Sequence, residues 1–233
     1  MITDDNKKKL RLNPRLLKIA QLIPDCKSLA DIGTDHAYVP IFALLEGKVS
    51  SAIASDINRG PVQRAKENAK AFGLEGKLSL RLGPGLETVK PNEAETIIVA
   101  GMGGILISEI LENSKEVVKS AKHLILQPMT AAKELREYLI GHSFTIQKEV
   151  LVSEDDKIYN ILCVDVGGRS EYSQKELILG KGLEDTAPEL YSRYFKNIER
   201  KLKIRIAGLK SSGLKENQDL AKEAEALLDL INS

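Results

Sequence analysis

Ser28-Leu-Ala-Asp-Ile-Gly33 is a short apolar run that ends in a glycine, and Thr34-Asp-His-Ala-Tyr38 follows it with polar and aromatic residues. Such a run, closed by a turn signal, predicts a strand buried on both faces that feeds a loop. Upstream, Asn13-Pro14 predicts a helix start, with a side-chain acceptor at the N-cap and a proline whose missing N–H is harmless in the first turn. Leu16, Ile19, Ala20 and Ile23 then share one helical face, and Pro24 closes the segment. Downstream, a helix over Val39–Glu46 leads to Ser51-Ala-Ile-Ala-Ser-Asp56, a second strand of the same kind.

The rhythm continues. Val62, Ala65, Ala69 and Phe72 predict a helix stopped by Gly73; strands follow at Leu78–Leu82, Thr96–Ala100 and Leu124–Gln127, with helices over Ile105–Leu111 and Ala131–Ile140. Alternating strands and helices require crossover connections, hence a mostly parallel sheet covered on both faces. After Gly141 the alternation stops. Phe144–Val152 and Lys157–Val166 are separated only by Ser153-Glu-Asp-Asp156, which predicts an antiparallel hairpin at the sheet edge. Gly167-Gly168 reads as a boundary between a domain over residues 1–167 and a helical one over 168–233. In the latter, Glu189–Ala207 and Gln218–Leu230 predict two helices separated by Gly208 and a Ser211-Ser-Gly213 turn, with Leu220, Ala224, Leu227 and Leu228 on the paired face of the second.

In an open α/β sheet, ligands sit beyond the carboxyl ends of the strands. Asp31 and Gly33 stand at the first such end, and Asp56, 23 residues past Gly33, closes the next strand where a carboxylate can hold ribose hydroxyls. A nucleoside-containing cofactor is implied. The dinucleotide fingerprint is absent, because Thr34, Asp35 and His36 stand where further glycines would cradle a pyrophosphate; a carboxylate there suits a cationic ligand. Val99-Ala-Gly-Met-Gly-Gly104 and Arg81-Leu-Gly-Pro-Gly-Leu86 are glycine-rich strand ends, the first where a substrate would meet the cofactor and the second where an adenine ring could be framed. Each piece has a plainer explanation when taken singly: a turn glycine, a helix-capping Asp35, a surface His36, a core Tyr38.

With 42% hydrophobic and 29% charged residues in 233, the composition is that of an ordinary globular chain. No apolar run approaches the ~20 residues needed to span a membrane, and Met1 to Lys9 lacks the apolar stretch of a signal peptide. Cys26 and Cys163 form no CxxC pair, and with three histidines they leave little material for a metal site; a reduced, cytoplasmic compartment is expected. Thirty-four Lys and Arg against 33 Asp and Glu give a formal charge of +1, which alone argues mildly against a nucleic-acid partner. That total averages acidic stretches such as Glu154-Asp-Asp156 with a basic one holding Arg193, Lys196, Arg200, Lys201, Lys203, Arg205 and Lys210. Such charges form either a phosphate-binding surface or a solvated helix face.

Together, Asn13-Pro14-Arg15-Leu16, Asp31-Ile-Gly-Thr-Asp-His-Ala-Tyr38, Ala54-Ser-Asp56, Ala100-Gly-Met-Gly-Gly104 and Leu126-Gln-Pro128 resemble the TrmK family of bacterial tRNA methyltransferases. The resemblance runs from about Leu10 to the C-terminus. It implies a Rossmann-like class I methyltransferase domain with a C-terminal helical, coiled-coil-like domain, using S-adenosyl-L-methionine to methylate N1 of adenine 22 in tRNA. Position by position it implies that Asp31, Gly33 and Thr34 line the methionine end of the cofactor, Asp56 holds the ribose, and Ile57 packs on adenine. Ala100, Gly101 and Met102 would lie beneath the transfer centre, and Asp35, His36 and Tyr38 would face the target base as catalytic candidates. Pro84 departs from the family's polar, often acidic residue at this place, so backbone groups of Gly83, Gly85 and Leu86 would have to meet the adenine. Rival readings are a methyltransferase for another acceptor, a nicotinamide-dependent oxidoreductase, disfavoured by the missing glycines, and a non-catalytic RNA-binding module on the same fold.

Overall fold

The computed structural model describes residues 10–211 and 215–233. Met1 to Lys9, read above as lacking a signal peptide, lie outside the described residues, as do Ser212 and Gly213 of the expected turn.

The first element among the described residues is α1 (Pro14–Leu22), whose first turn is satisfied as its sequence predicts: Asn13 Oδ1 accepts the Leu16 N–H at 2.8 Å, and Glu154 accepts the Arg15 N–H at 3.0 Å. Then follow β1 (Ser28–Ile32), α2 (Tyr38–Leu45), β2 (Ser51–Asp56), α3 (Arg59–Ala71), β3 (Leu78–Leu82), β4 (Thr96–Gly103), α4 (Gly104–Asn113), the short α5 (Lys115–Ser120), β5 (His123–Thr130), α6 (Ala132–Gly141) and the hairpin β6 (Phe144–Glu154) and β7 (Lys157–Val166). The seven strands lie in the order β3-β2-β1-β4-β5-β7-β6; the first five are parallel, and β7 runs antiparallel to both its neighbours.

Alternation along the central strands builds two cores. Leu29, Ala52, Ala54 and Ile98 face α1, α2 and α3, whereas Ala30, Ile32, Ile53, Ile97 and Val99 face α4, α5 and α6. The β4–β5 ladder slips around Gly101, a bulge that turns the end of β4 away from regular pairing. Immediately after it the backbone of Ala131 crosses so close to Gly104 that a Cβ there would lie 2.1 Å from the Ala131 carbonyl oxygen, so no other residue fits.

Beyond β7 the chain forms α7 (Gln174–Leu179), α8 (Leu183–Thr186), and the long pair α9 (Pro188–Ser211) and α10 (Lys215–Asn232). Arg136 on α6 is fully buried, donating to Glu149 of β6 at 2.7 to 3.1 Å and to the Leu177 carbonyl of α7 at 2.8 Å. Glu149 also accepts from Asn160, from the Tyr172 hydroxyl and from the Lys181 N–H, so the start of the tail is tied to the sheet edge by one buried ionic network.

Two expectations for the tail change. Gly208 is an exposed interior residue of α9, because helix pairing outweighs the ~1 kcal/mol propensity loss of one glycine. On α10 the buried positions are Ala221, Ala224 and Ile231, while Leu220 is 39% exposed; the packed stripe is one residue out of phase with the expected one at that end.

Candidate active site

Two clefts of about 280 Å³ each abut at the C-terminal ends of the parallel strands, and Gly33 lines both. Each alone falls just short of the ~300–1,000 Å³ of small-molecule sites; together they reach that range.

The first cleft is lined by Gly33, Asp56, Ile57, Gly83, Pro84, Gly85, Leu86 and Met102. The Asp56 carboxylate closes β2 and accepts the Asn58 N–H at 2.7 Å, which fixes its rotamer toward the opening. The Gly83 N–H donates to the Asp56 carbonyl at 3.0 Å and ties the β3 loop to the same place. Ile57 is left 64% exposed at the rim, an apolar side chain with no protein surface to cover it. Glu87, Glu109 and Asn113 also line this cleft, bringing polar groups that the sequence reading did not assign. The last two come from α4, whose register against the loop after β3 is set only by tertiary packing.

The second cleft holds Asp31, Thr34, Asp35, His36, Tyr38 and Ala100, with Asn13 and Arg15 from the start of α1. Its loop is pinned by Gly33 and Thr34 N–H groups that both donate to the Ser55 carbonyl, at 2.8 and 2.9 Å, and by Thr34 Oγ1, which accepts the Ala37 N–H at 3.0 Å. Ala37 itself adopts φ +54°, a strained conformation for a residue with a Cβ, and so does Ala131 after β5; both stand at strand ends on the site's side of the sheet. On either side of Ala37, the rings of His36 and Tyr38 stack in parallel, 4.9 Å between centroids.

The charges are arranged unequally. Asp31 is buried, and that burial, partly offset by the Thr34 hydroxyl, pushes its pKa up to about 6. Among the described residues no cation is paired with it, so the carboxylate suits a cationic ligand. Asp35 is exposed instead, with its two oxygens engaged by Arg64 of α3 and by His36 Nε2 at 3.2 Å. Arg64 and Arg15 are site residues that local sequence pattern does not mark, since each reaches the loop or cleft only through the packing of its helix.

Ala100 lines the second cleft and Met102 the first, while Gly101 bulges outward between them. The tail cations lie elsewhere. Arg193, Lys196, Arg200 and Lys203 recur at helical spacing along one exposed face of α9, Lys201 and Arg205 are exposed on another side of the helix, and Lys210 is ion-paired to Glu225 of α10. None lines either cleft. Among the described residues no group of three or more His, Cys, Asp or Glu could hold a metal ion, and no helix is long and apolar enough to cross a membrane.

A sheet of this strand order with a terminal antiparallel hairpin, a glycine turn after β1 and a carboxylate closing β2 defines a class I S-adenosylmethionine-dependent methyltransferase. Residues 12–162 match the family described as methyltransferase domain. The chain is 43% identical over 160 residues to tRNA (adenine(22)-N(1))-methyltransferase of Bacillus subtilis, covering 69% of this chain and 67% of that one, and it belongs to the TrmK family. The crystal structure of the B. subtilis m1A22 tRNA methyltransferase TrmK superposes with a TM-score of 0.87 at 32% identity, covering 96% of this chain and 98% of that one. A Streptococcus pneumoniae relative in complex with S-adenosyl-L-methionine superposes with a TM-score of 0.81 at 32% identity, over 93% and 98% of the two chains.

Proposed function

We infer that this chain transfers a methyl group from S-adenosyl-L-methionine to N1 of adenine 22 in tRNA. The observation that carries the reading is the meeting at Gly33 of two clefts, one with a ribose-type carboxylate and an exposed apolar rim, the other with a buried anionic Asp31 beside an aromatic pair. The residues present fit the cofactor. Asp56 would hold the ribose diol, Ile57 and Leu86 would cover the adenine, and the backbone of Gly83 and Gly85 would reach its edge. Asp31, with Gly33 and Thr34, would take the cationic methionine end, which relieves the desolvated carboxylate.

When bound, this cofactor supplies a methyl group on a sulfonium, already a good electrophile, so the protein's work is alignment. Adenine N1 presents a neutral in-plane lone pair and needs no prior deprotonation. The stacked His36 and Tyr38 rings offer a platform beside which a purine extruded from its stack can lie. Asp35 stabilises the positive charge that methylation places on the ring, and Ala100 to Met102 form the floor beneath the transfer point.

The division proposed is a catalytic domain over residues 1–167 and a tRNA-contacting helical domain over 168–233, in which Arg193, Lys196, Arg200, Lys201, Lys203, Arg205 and Lys210 supply the phosphate-binding surface. A cytoplasmic location follows from a tRNA substrate. The test is incubation of unmodified tRNA with the protein and labelled cofactor, followed by nucleoside mapping. 1-Methyladenosine at position 22 is the expected product; methylation elsewhere, or none, overturns the reading.

A further inference from the structure

Arg15 is a cation built into the second cleft, which it shares with Asp31 and Asp35, and among the described residues it has no ion-pair partner. Its Nη1 donates to Gln127 Oε1 at 2.8 Å, and its guanidinium carbon lies 5.4 Å from the centre of the Tyr159 ring. Both partners are neutral. Gln127 is fully buried and held in turn by the Pro128 carbonyl, which accepts its Nε2 at 2.9 Å, so the guanidinium is fixed in place by packing and by one rigid amide. Glu154, the nearest acidic neighbour in the hydrogen-bond network, is turned to the Arg15 backbone N–H and to Asn13. Among the described residues no carboxylate is ion-paired to the guanidinium, and its buried Nε has no acceptor.

A guanidinium carries five N–H donors. Here one has an acceptor among the described residues. Of the residues lining the second cleft, Arg15 alone is a lysine or arginine. A fixed, partly desolvated cation with unused donors is matched by an oxyanion, which such a planar fork receives through two parallel hydrogen bonds.

Its position says which oxyanion. Arg15 is anchored by Gln127 of β5 and Tyr159 of β7, strands on the opposite side of β4 from the β1–β2–β3 half that carries Asp56. Its Nη1 lies 3.6 Å from where a Cβ on Gly101 would stand, next to the bulge at the end of β4. That is the acceptor side of the site. An adenosine within an RNA chain is neutral in its base and anionic only in its phosphates.

Resting on the tRNA reading above, we propose that Arg15 anchors a phosphodiester group flanking the target adenosine and so holds the extruded nucleotide against the His36–Tyr38 pair. It is a positioning residue: it grips the backbone of the acceptor and leaves the transfer itself to the groups around Gly33. The carboxylate at the methionine end of the cofactor is the other oxyanion in this system, and the experiment separates the two.

Arg15→Gln, Arg15→Lys and Gln127→Glu, the last placing a carboxylate on the guanidinium, are assayed as full-length proteins with unmodified tRNA transcript across a potassium chloride series. S-adenosylhomocysteine binding is measured by calorimetry, and thermal unfolding reports on folding. Arg15→Gln is expected to lower kcat/KM for tRNA at least tenfold and to reduce the slope of log kcat/KM against log salt by about one, the signature of one lost phosphate contact. Gln127→Glu is expected to reproduce that change of slope with the arginine intact, and Arg15→Lys to retain the slope while losing rate. Affinity for S-adenosylhomocysteine stays within about twofold of the parent in all three. Loss of S-adenosylhomocysteine affinity with an unchanged tRNA salt slope would assign the guanidinium to the cofactor carboxylate and overturn the proposal. Unchanged slope and unchanged affinity together overturn it as well. Failure of the parent protein to methylate adenine 22 is a separate result, which removes the underlying reading rather than this one.

Discussion

Met102 reaches from the end of β4 to lay its thioether methyl over Gly33, so close that a Cβ built on Gly33 would stand 2.1 Å from the Met102 Cε. The two residues meet where the clefts join, and Gly33 holds φ +77°, a conformation that a side chain resists by ~1–2 kcal/mol. The thioether tip is flexible and can swing aside, but Met102 lines the first cleft, so its displacement disturbs that cleft's wall. Gly33→Ala is therefore expected to lower stability by ~1–2 kcal/mol in urea unfolding and to weaken S-adenosylhomocysteine binding at least tenfold. Adding Met102→Ala should restore part of the affinity and none of the stability. Parent-like binding by Gly33→Ala would show that the clefts are not used as one site.

Asp31 gives the site its pH dependence. Burial raises its pKa from 3.8 to about 6, so the folded state favours the protonated acid relative to the unfolded chain. Its contribution to stability is fully present below pH ~4, is lost as pH rises through about 6, and leaves the ionised group destabilising by ~3 kcal/mol above that. Asp31→Asn should accordingly melt higher than the parent without ligand at pH 7.5, with a smaller difference at pH 5. The same variant should lose most of the thermal shift produced by S-adenosylhomocysteine. In the parent, affinity for that ligand should fall as pH drops through about 6, because only the anion matches its ammonium group; a flat profile from pH 5 to 8 would remove Asp31 from the binding site.

Asp35 is engaged by both Arg64 and His36, so its carboxylate is oriented before any substrate arrives. Asp35→Asn keeps the shape and removes the charge. Single-turnover methylation at saturating cofactor is expected to slow by about tenfold to a hundredfold, below the ~10²–10³ of a buried, preorganised donor, since the pair is exposed. Cofactor affinity measured in parallel should be unchanged. A parent-like rate would assign Asp35 to holding the loop alone.

Arg136 and Glu149 form an ion pair with no solvent exposure on either side chain. Removing one partner leaves the other charged, buried and surrounded by groups oriented for an ion. Glu149→Gln or Arg136→Met alone is expected to lower unfolding free energy by ~3–5 kcal/mol. The double variant Arg136→Met with Glu149→Leu should recover most of that loss, because desolvation of both charges disappears together. Equal losses in single and double variants would mean that the tail carbonyls and Tyr172, rather than the pair, carry the stability.

Much of this architecture is legible in local pattern because its determinants are local. The β1 run, the Asn13-Pro14 cap, and the short Ser153-Glu-Asp-Asp156 connection each state their own geometry. What local pattern does not carry depends on elements distant in sequence. Arg15 becomes part of the cleft only because α1 packs beside the ends of β5 and β7, and its partner Gln127 is 112 residues away. Glu109 and Asn113 look like the polar face of an ordinary helix until the loop after β3 is laid against α4. Helices α7 and α8, of six and four residues, are too short to show a period; α7 starts on a local capping box between Ser173 and Glu176, but its place against the sheet is fixed by Arg136, which donates to its Leu177 carbonyl. On α10, Ala221 is buried and its neighbour Leu220 is 39% exposed, a choice that hydrophobicity alone would have reversed.

The exposed face of α9 makes the remaining prediction. Arg193, Lys196, Arg200 and Lys203 repeat at intervals of three and four, on the side away from Ile198, Leu202 and Ile206, and Ile204, 59% exposed, stands among them. Lys203 is shared with Glu199 at 2.7 Å, whereas Arg200 has no ion pair among the described residues. Charge reversal at Arg200 therefore isolates the surface potential. Reversal at Lys203 also sets two acids four residues apart, at a helix cost of ~0.2–0.5 kcal/mol. Arg200→Glu is expected to weaken tRNA binding about tenfold at 0.15 M salt, to flatten its salt dependence and to leave S-adenosylhomocysteine affinity unchanged; adding Lys203→Glu should deepen the first two effects. Both variants keep the apolar stripe that joins α9 to α10, so their melting temperatures should stay close to that of the parent. Unaltered tRNA affinity and salt slope in the double variant would reduce the stripe to a solvated helix face, and recognition would then have to lie around the clefts themselves.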